Sequence, residues 1–185
     1  LTGMGGPGSM FSYGCGWANL CNTPLARYKH FAHEGGIRTP LVIHWPAAIK
    51  EAGGLRWDVT HVMDVMATCV EVAGAHYPPS QNGHRLLPLE GRSLVSTLVA
   101  DTGSPRTLVF EHERHVAIRR GDWKLVASDA LSHDGLRPGV RWELYDVASD
   151  PTEQHDLAAT RPRLADDLAA EFLQEAKRTL ILPRP

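Results

Sequence analysis

From Thr107 onward, short β-branched and aromatic runs alternate with turn residues, and that pattern leaves few folds open. Leu108-Val109-Phe110, Val116 to Arg120 and Trp123 to Val126 read as strands, the last two joined by Gly121-Asp122 in a tight hairpin. Trp142 to Val147 adds another strand. Pro162 suits the first turn of a helix, where its missing N–H costs nothing, and Leu164, Leu168, Phe172 and Ala176 then mark one apolar face. The combination predicts a small antiparallel sheet covered by one carboxy-terminal helix.

The first hundred residues carry a different pattern. Residues 1–22 are glycine-rich and aperiodic and read as loop. Thr23-Pro24 is a helix-start signal, giving a helix from Pro24 to about His33 with Gly35 as its stop. Leu41 to Trp45, ended by Pro46, reads as a strand buried on both faces. Val59, Val62, Met63, Met66, Val70 and Ala73 follow helical spacing, with Asp58 available as a cap and Gly74 as the stop. A strand followed by a helix is half of an α/β unit. Residues 75–105 read mainly as connection, with a short amphipathic piece from Leu94 to Val99. The chain opens with neither an initiator methionine nor a basic-then-apolar leader, so its start reads as a cut inside a longer protein, and its compartment stays open.

Bulk properties exclude several classes. The 185 residues hold 19 basic and 21 acidic side chains, a formal charge of −2. That balance offers no basic field for non-specific nucleic-acid binding. Apolar runs are too short to span a membrane. Cys15, Cys21 and Cys69 are too few and scattered for a disulfide framework.

Three groups of residues are candidates for chemistry. Lys29, with His30, His33 and Glu34, would stand on the helix before the glycine turn, Lys29 and His33 sharing a face. A lysine there is a compact point charge suited to sulfate or phosphate; the competing reading is a solvated helix face. Glu111-His112-Glu113-Arg114-His115 would alternate along a strand, placing Glu111, Glu113 and His115 on one face. Two carboxylates and a histidine are metal-ligand chemistry, but a polar strand exit laced with ion pairs is the commoner origin of such a run, so no residue is assigned to a metal. Cys21 precedes a helix start, where a thiol can be activated, although a small apolar role competes. No nucleophile elbow, phosphate-binding loop or C-x-x-C pair is present.

Tyr28-Lys29-His30-Phe31-Ala32-His33-Glu34-Gly35-Gly36-Ile37-Arg38-Thr39-Pro40 and the following Leu41 to Pro46 strongly resemble the sulfatase family, the arylsulfatase type in particular. Tyr13 to Asn19, Asn22-Thr23-Pro24, Asp64 to Thr68, Leu89 to Leu94, Trp123-Lys124-Leu125, Glu143 to Asp146 and Asp150-Pro151-Thr152-Glu153 are similar to that family too, in order. The resemblance covers nearly the whole chain but matches only the carboxy-terminal part of a sulfatase.

It implies an α/β fold: the end of an alkaline-phosphatase-like core in residues 1–100, then a small antiparallel subdomain with a packed helix in residues 101–185. Members of the family hydrolyse sulfate esters with a formylglycine made from a C/S-x-P/A-x-R motif, aided by calcium or magnesium held by Asp and Asn side chains. One family active-site residue carries over. Lys29, five residues before Glu34, matches the lysine that contacts the sulfate group, a catalytic and substrate-binding role. The nucleophile does not: after Cys21 stands Thr23 where the motif needs Pro or Ala, and Leu25 where it needs Arg. The family's metal ligands would lie before Leu1, so this segment is expected to hold no cofactor of its own and to be inactive alone. By the same resemblance His112 and Glu111 lie near the substrate mouth, without a catalytic role. A phosphodiester or phosphonate hydrolase of the same superfamily, and a non-catalytic oligomerisation or binding module, are the alternatives. The apolar run at Leu41 to Trp45, lacking neighbouring strands, is expected to pair with another copy or with an amino-terminal chain.

Overall fold

The computed structural model describes residues 6, 8 and 14–183. Tyr13, part of the family-like pattern, lies outside the described residues, as does most of the preceding glycine-rich stretch. In chain order the elements are α1 (Gly14–Asn22), α2 (Glu34–Ile37), α3 (Met63–Val72), β1 (Ser80–Gln81), β2 (His84–Arg85), β3 (Thr107–His112), β4 (His115–Arg120), β5 (Trp123–Ala127), β6 (Glu143–Asp146) and α4 (Pro162–Arg178). They fall into two compact units, Leu1–Pro40 with Thr107–Pro185, and Leu41–Arg106.

The first unit is built on a four-stranded antiparallel sheet in the order β3-β4-β5-β6, as the alternating pattern predicts. Ile118 pairs with Leu125 and Leu125 with Leu144, so these three line one face. There they meet Leu168, Phe172 and Ala176 of α4, all fully buried. Pro162 opens that helix, and Lys177 and Arg178 sit in its last turn, where cations complement the helix dipole. The opposite face carries Ala117, Val126 and Tyr145, packed against Ala32 and Phe110. Because strand side chains alternate, Lys124 and Glu143 also point to this second face. Both faces are covered, which is why β4 and β5 read as almost unbroken apolar runs.

Residues 14–22, expected as loop, form α1. No residue of that helix is buried, so it leaves no apolar period to read. Its amide side chains bond locally instead: Asn19 donates to the Cys15 carbonyl, Asn22 to that of Ala18, and the Thr23 hydroxyl to that of Asn19. The helix expected over residues 24–33 is absent. Arg27 and His30 have φ of 67° and 88°, incompatible with a right-handed helix, and the segment is a folded loop leading to α2.

In the second unit the residues of the expected strand, Leu41 to Trp45, form no strand among the described residues. Val42 is 90% exposed and Leu41 53%. The apolar composition signals burial that the described residues do not provide. The helix expected from Val59 begins at Met63 and ends as predicted: Gly74 takes φ +59°, and the Ala75 N–H closes back on the Val70 carbonyl at 3.0 Å. Asp58 does not cap it. Its carboxylate accepts hydrogen bonds from the Thr102 N–H and hydroxyl and from the Gly103 N–H, tying down that turn. Fully buried Asp64 organises the helix start, accepting from the N–H groups of His61 and Arg92 and from the Arg106 guanidinium at 2.6 Å. Burial would raise its pKa, but these donors outweigh that and hold it below the ordinary carboxylate range. Gly91 makes the approach possible: a Cβ there would lie 2.1 Å from the Met63 carbonyl oxygen.

Candidate functional site

Lys29 lies at the outer edge of the loop joining α1 to α2, exposed, with no hydrogen bond or ion pair to its ammonium among the described residues. The backbone around it is held firmly. The Gly35 N–H donates to the Ala26 carbonyl at 2.8 Å and the Phe31 N–H to the Tyr28 carbonyl at 3.1 Å. These contacts require both glycines of Glu34-Gly35-Gly36. A Cβ on Gly35 would lie 2.3 Å from the Arg27 carbonyl oxygen, and one on Gly36 1.9 Å from that of Phe31. Phe31 fastens the loop tip, its ring 4.6 Å from the His115 imidazole and 5.3 Å from Tyr28 edge-on. The Arg27 guanidinium lies over the same Phe31 ring at 5.2 Å.

Beneath the loop lies a buried ionic cluster. The Lys124 ammonium, fully enclosed, stands 2.9 Å from Glu34 Oε1 and 2.8 Å from Glu153 Oε1. The Glu34 contact is an aligned hydrogen bond; the Glu153 one is close enough for an ion pair without that alignment. The other Glu153 oxygen accepts the Glu34 backbone N–H at 2.7 Å, satisfying one of the open donors at the start of α2. Glu153 reaches this position because Asp150 accepts the Gln154 and His155 N–H groups, both at 2.8 Å, which turns Asp150-Pro151-Thr152-Glu153 inward. Arg38 lies 3.8 Å from the remaining Glu34 oxygen.

A second buried pair flanks the first. His33, 3% exposed, places Nε2 3.1 Å from Glu143 Oε2, which also accepts the Tyr145 hydroxyl proton at 2.8 Å. The His33 hydrogen bond, ahead of that from Tyr145, draws the Glu143 carboxyl down to about 2 in spite of burial. Burial first, and then the carboxylate it serves, push the Tyr145 hydroxyl up, so it keeps its proton and remains a donor. Lys29 and His33 therefore do not share a face: one points to solvent, the other into the sheet. Nor do Glu111, Glu113 and His115 form one strand face. Glu113 and Arg114 are the two-residue turn between β3 and β4, both with positive φ, and the alternation stops there. Glu113 instead meets His30, with Glu113 Oε2 2.8 Å from His30 Nδ1. Cys21 is exposed and unbonded to another cysteine.

Residues 27–178 match the family model described as N-sulphoglucosamine sulphohydrolase, C-terminal. The chain belongs to the sulfatase family. It is 28% identical over 200 aligned residues to an uncharacterized sulfatase of Schizosaccharomyces pombe, covering 100% of this chain and 33% of the relative. It is 27% identical to bovine arylsulfatase A over 88% of this chain and 33% of that protein. With the arylsulfatase of Klebsiella aerogenes it shares 38% identity across 56% of this chain and 22% of the relative. The structure of Ps i-CgsB superposes with a TM-score of 0.61 at 23% identity, covering 83% of this chain and 32% of that one. A structure from the glycosaminoglycan-metabolism locus of Bacteroides thetaiotaomicron gives 0.62 at 22% identity, with 81% and 31% covered. The shared fold is the carboxy-terminal end of the alkaline-phosphatase-like sulfatase architecture, with its small antiparallel sheet and closing helix. This sulfatase chain spans about a third of the length of these curated relatives. Among its described residues no helix is long and apolar enough to cross a membrane.

Two of the contacts described above escaped the sequence reading. Trp123-Lys124-Leu125 and Asp150 to Glu153 stand out as family-like segments, yet nothing local says that they meet Glu34. The available signal was a lysine inside the otherwise apolar Trp123-Lys124-Leu125-Val126-Ala127 run, which demands a buried counter-charge.

Proposed function

We propose that this chain is the carboxy-terminal segment of an arylsulfatase-type sulfuric ester hydrolase and that Lys29 contacts the sulfate group of the substrate. The observation that carries the reading is an exposed cation, free of internal partners among the described residues, on a loop whose backbone is fixed from below. A fixed positive charge beside an anionic ester stabilises charge that shifts toward the bridging oxygen as the ester bond breaks, without reorganising at that moment. Its position in the family motif supports the same role.

The remaining machinery is not assigned to this chain. Formylglycine supplies the family's nucleophile, and Cys21 does not stand in the motif from which it is made. Calcium and magnesium take sets of oxygen donors. Asp64 does not fit, because both its oxygens are committed to Arg106, Arg92 and His61. Isolated, the 185-residue chain is expected to turn over no aryl sulfate. In an enzyme that carries it, Lys29→Ala should lower turnover of an aryl sulfate about 10²–10³-fold, the usual cost of removing one charge-stabilising donor. The thermal midpoint should stay unchanged, because Lys29 holds nothing in place. A Lys29→Ala enzyme as active as its parent would remove the assignment. A phosphate or phosphonate ester offers the same anionic oxygens, so the assay is run on both esters side by side.

A second reading has its own support. In the unit Leu41–Arg106, Val42, Leu55, Trp57, Val62, Met66 and Leu87 are all more than half exposed. So much apolar surface favours association, either with the rest of a sulfatase core or with a second copy. Light scattering separates the cases: a defined dimer without affinity for sulfate favours a binding module, and a monodisperse monomer argues against any association.

A further inference from the structure

The residue after Lys29 takes part in a separate constellation. His30 Nδ1 lies 2.8 Å from Glu113 Oε2, and His112 Nε2 lies 3.7 Å from Glu113 Oε1. The two imidazoles stack with centroids 5.9 Å apart and planes 22° from parallel. One donor atom from each of His30, His112 and Glu113 falls within 4.8 Å of the others. The turn bearing Glu113 is fixed by a hydrogen bond from the Arg114 N–H to Glu111 Oε1 at 3.0 Å. The Arg114 charge is engaged by Asp129 at 2.7 Å rather than left to repel a cation.

We propose that His30, His112 and Glu113 bind a zinc-class divalent transition metal, at a site separate from the calcium or magnesium of the family. Two imidazoles and a carboxylate form a borderline-soft donor set that favours zinc, cobalt or copper over calcium and magnesium. Tetrahedral zinc, with bonds near 2.0–2.1 Å, separates its ligand atoms by about 3.3 Å. The 2.8 and 3.7 Å contacts end on different oxygens of Glu113, so the carboxylate and the imidazoles must adjust to bring one donor atom from each residue, already within 4.8 Å of one another, onto a common ion. All three side chains are partly exposed, which makes those adjustments inexpensive and leaves an entry path. Imidazole ligates only when neutral, so metal and protons compete for such a site. Three protein ligands leave a fourth position for water or an anionic oxygen, one residue along the chain from Lys29.

The test is calorimetric titration of the untagged full chain, stripped with a chelator, with zinc chloride. Millimolar calcium is kept present to occupy sites built from oxygen donors. One equivalent should bind with a dissociation constant in the micromolar range. His30→Ala and His112→Ala should abolish that equivalent, and Glu113→Gln should weaken it at least tenfold. Circular dichroism should be unchanged in all three, because the side chains are exposed. Cobalt should give the visible absorption of a four-coordinate ion in the parent and lose it in His112→Ala. The proposal is overturned if zinc does not saturate below about 1 mM, or if the three variants bind it as the parent does, which would assign the ion to other histidines. The outcome is independent of whether Lys29 contacts sulfate.

Discussion

Replacing Lys124 by methionine tests how the Lys29 loop is supported. Methionine fills nearly the same volume and removes only the ammonium. At an effective dielectric constant near 20, a charge about 2.9 Å from each of two carboxylates gains about 6 kcal/mol from each contact. Desolvation of all three groups cancels most of that gain, so the intact cluster contributes little net stability. Removing its only internal cation is different. Glu34 and Glu153 would remain 2% and 6% exposed, with Arg38, 3.8 Å from Glu34, the one remaining ion-pair partner among the described residues. Stranding buried charges in this way costs about 3–5 kcal/mol. For a chain of this length each kcal/mol is worth about 2–4 °C, so the thermal midpoint should fall by about 6–20 °C. Differential scanning calorimetry measures it. The charge-free variant Lys124→Met/Glu34→Gln/Glu153→Gln should recover a large part of the loss. A single variant melting within about 2 °C of the parent would refute the reasoning, as would a triple variant no better than the single one.

Gly36→Ala should unseat the loop, because its Cβ would lie 1.9 Å from the Phe31 carbonyl oxygen and backbone would have to move. Turnover in an enzyme that carries the chain should then fall as far as it does for Lys29→Ala, but with a lowered melting temperature, which Lys29→Ala leaves alone. Glu143 makes a prediction in acid. Its folded pKa of about 2 lies below the 4.5 of a free side chain, so its contribution is complete above pH 4.5 and is lost as pH falls toward 2. The difference corresponds to about 3 kcal/mol. Glu143→Gln should flatten the acid limb of the stability curve in that window, measured by urea unfolding at several pH values, and an unchanged limb would show that the His33 contact contributes nothing.

The strands of the first unit and α4 were legible because their partners lie within the chain: alternation, the Gly121-Asp122 turn and Pro162 each report a local cause. The misreadings share a different origin. Leu41 to Trp45 is written for burial, but the surface that would bury it is not supplied by the described residues. Residues 14–22 form a helix with no buried face, so hydrophobic spacing had nothing to mark. Thr23-Pro24 is a sound helix-start signal, yet the loop's carbonyls at Ala26 and Tyr28 are taken by the Gly35 and Phe31 N–H groups instead. The site divides in the same way. Lys29 is a candidate from the residues alone, but only the family pattern favours it over a solvated helix face. Its supports join Glu34 to Glu153 across 119 positions and His33 to Glu143 across 110, separations at which periodicity carries no information.

The supports bear on the role proposed for Lys29, because a surface lysine that is to hold an anion gains from a backbone already fixed around it. A charge on a mobile loop must give up backbone freedom on binding, at about 1–2 kcal/mol for each residue ordered. Here much of that ordering is in place beforehand: the backbone on either side of Lys29 is hydrogen-bonded at Ala26, Tyr28, Phe31 and Gly35, and the Phe31 ring rests on His115. Chiefly the lysine side chain remains to be fixed, a cost of up to about 2 kcal/mol. The ionic cluster keeps the floor of the loop in one arrangement without competing for Lys29, since Lys124 already neutralises one of the two carboxylates and Arg38 faces the other. If Lys124 were absent, the net negative charge below the loop would attract the Lys29 ammonium inward. Lys124→Met should therefore weaken sulfate binding by more than its effect on folding accounts for, which titration with sulfate below the melting transition would detect.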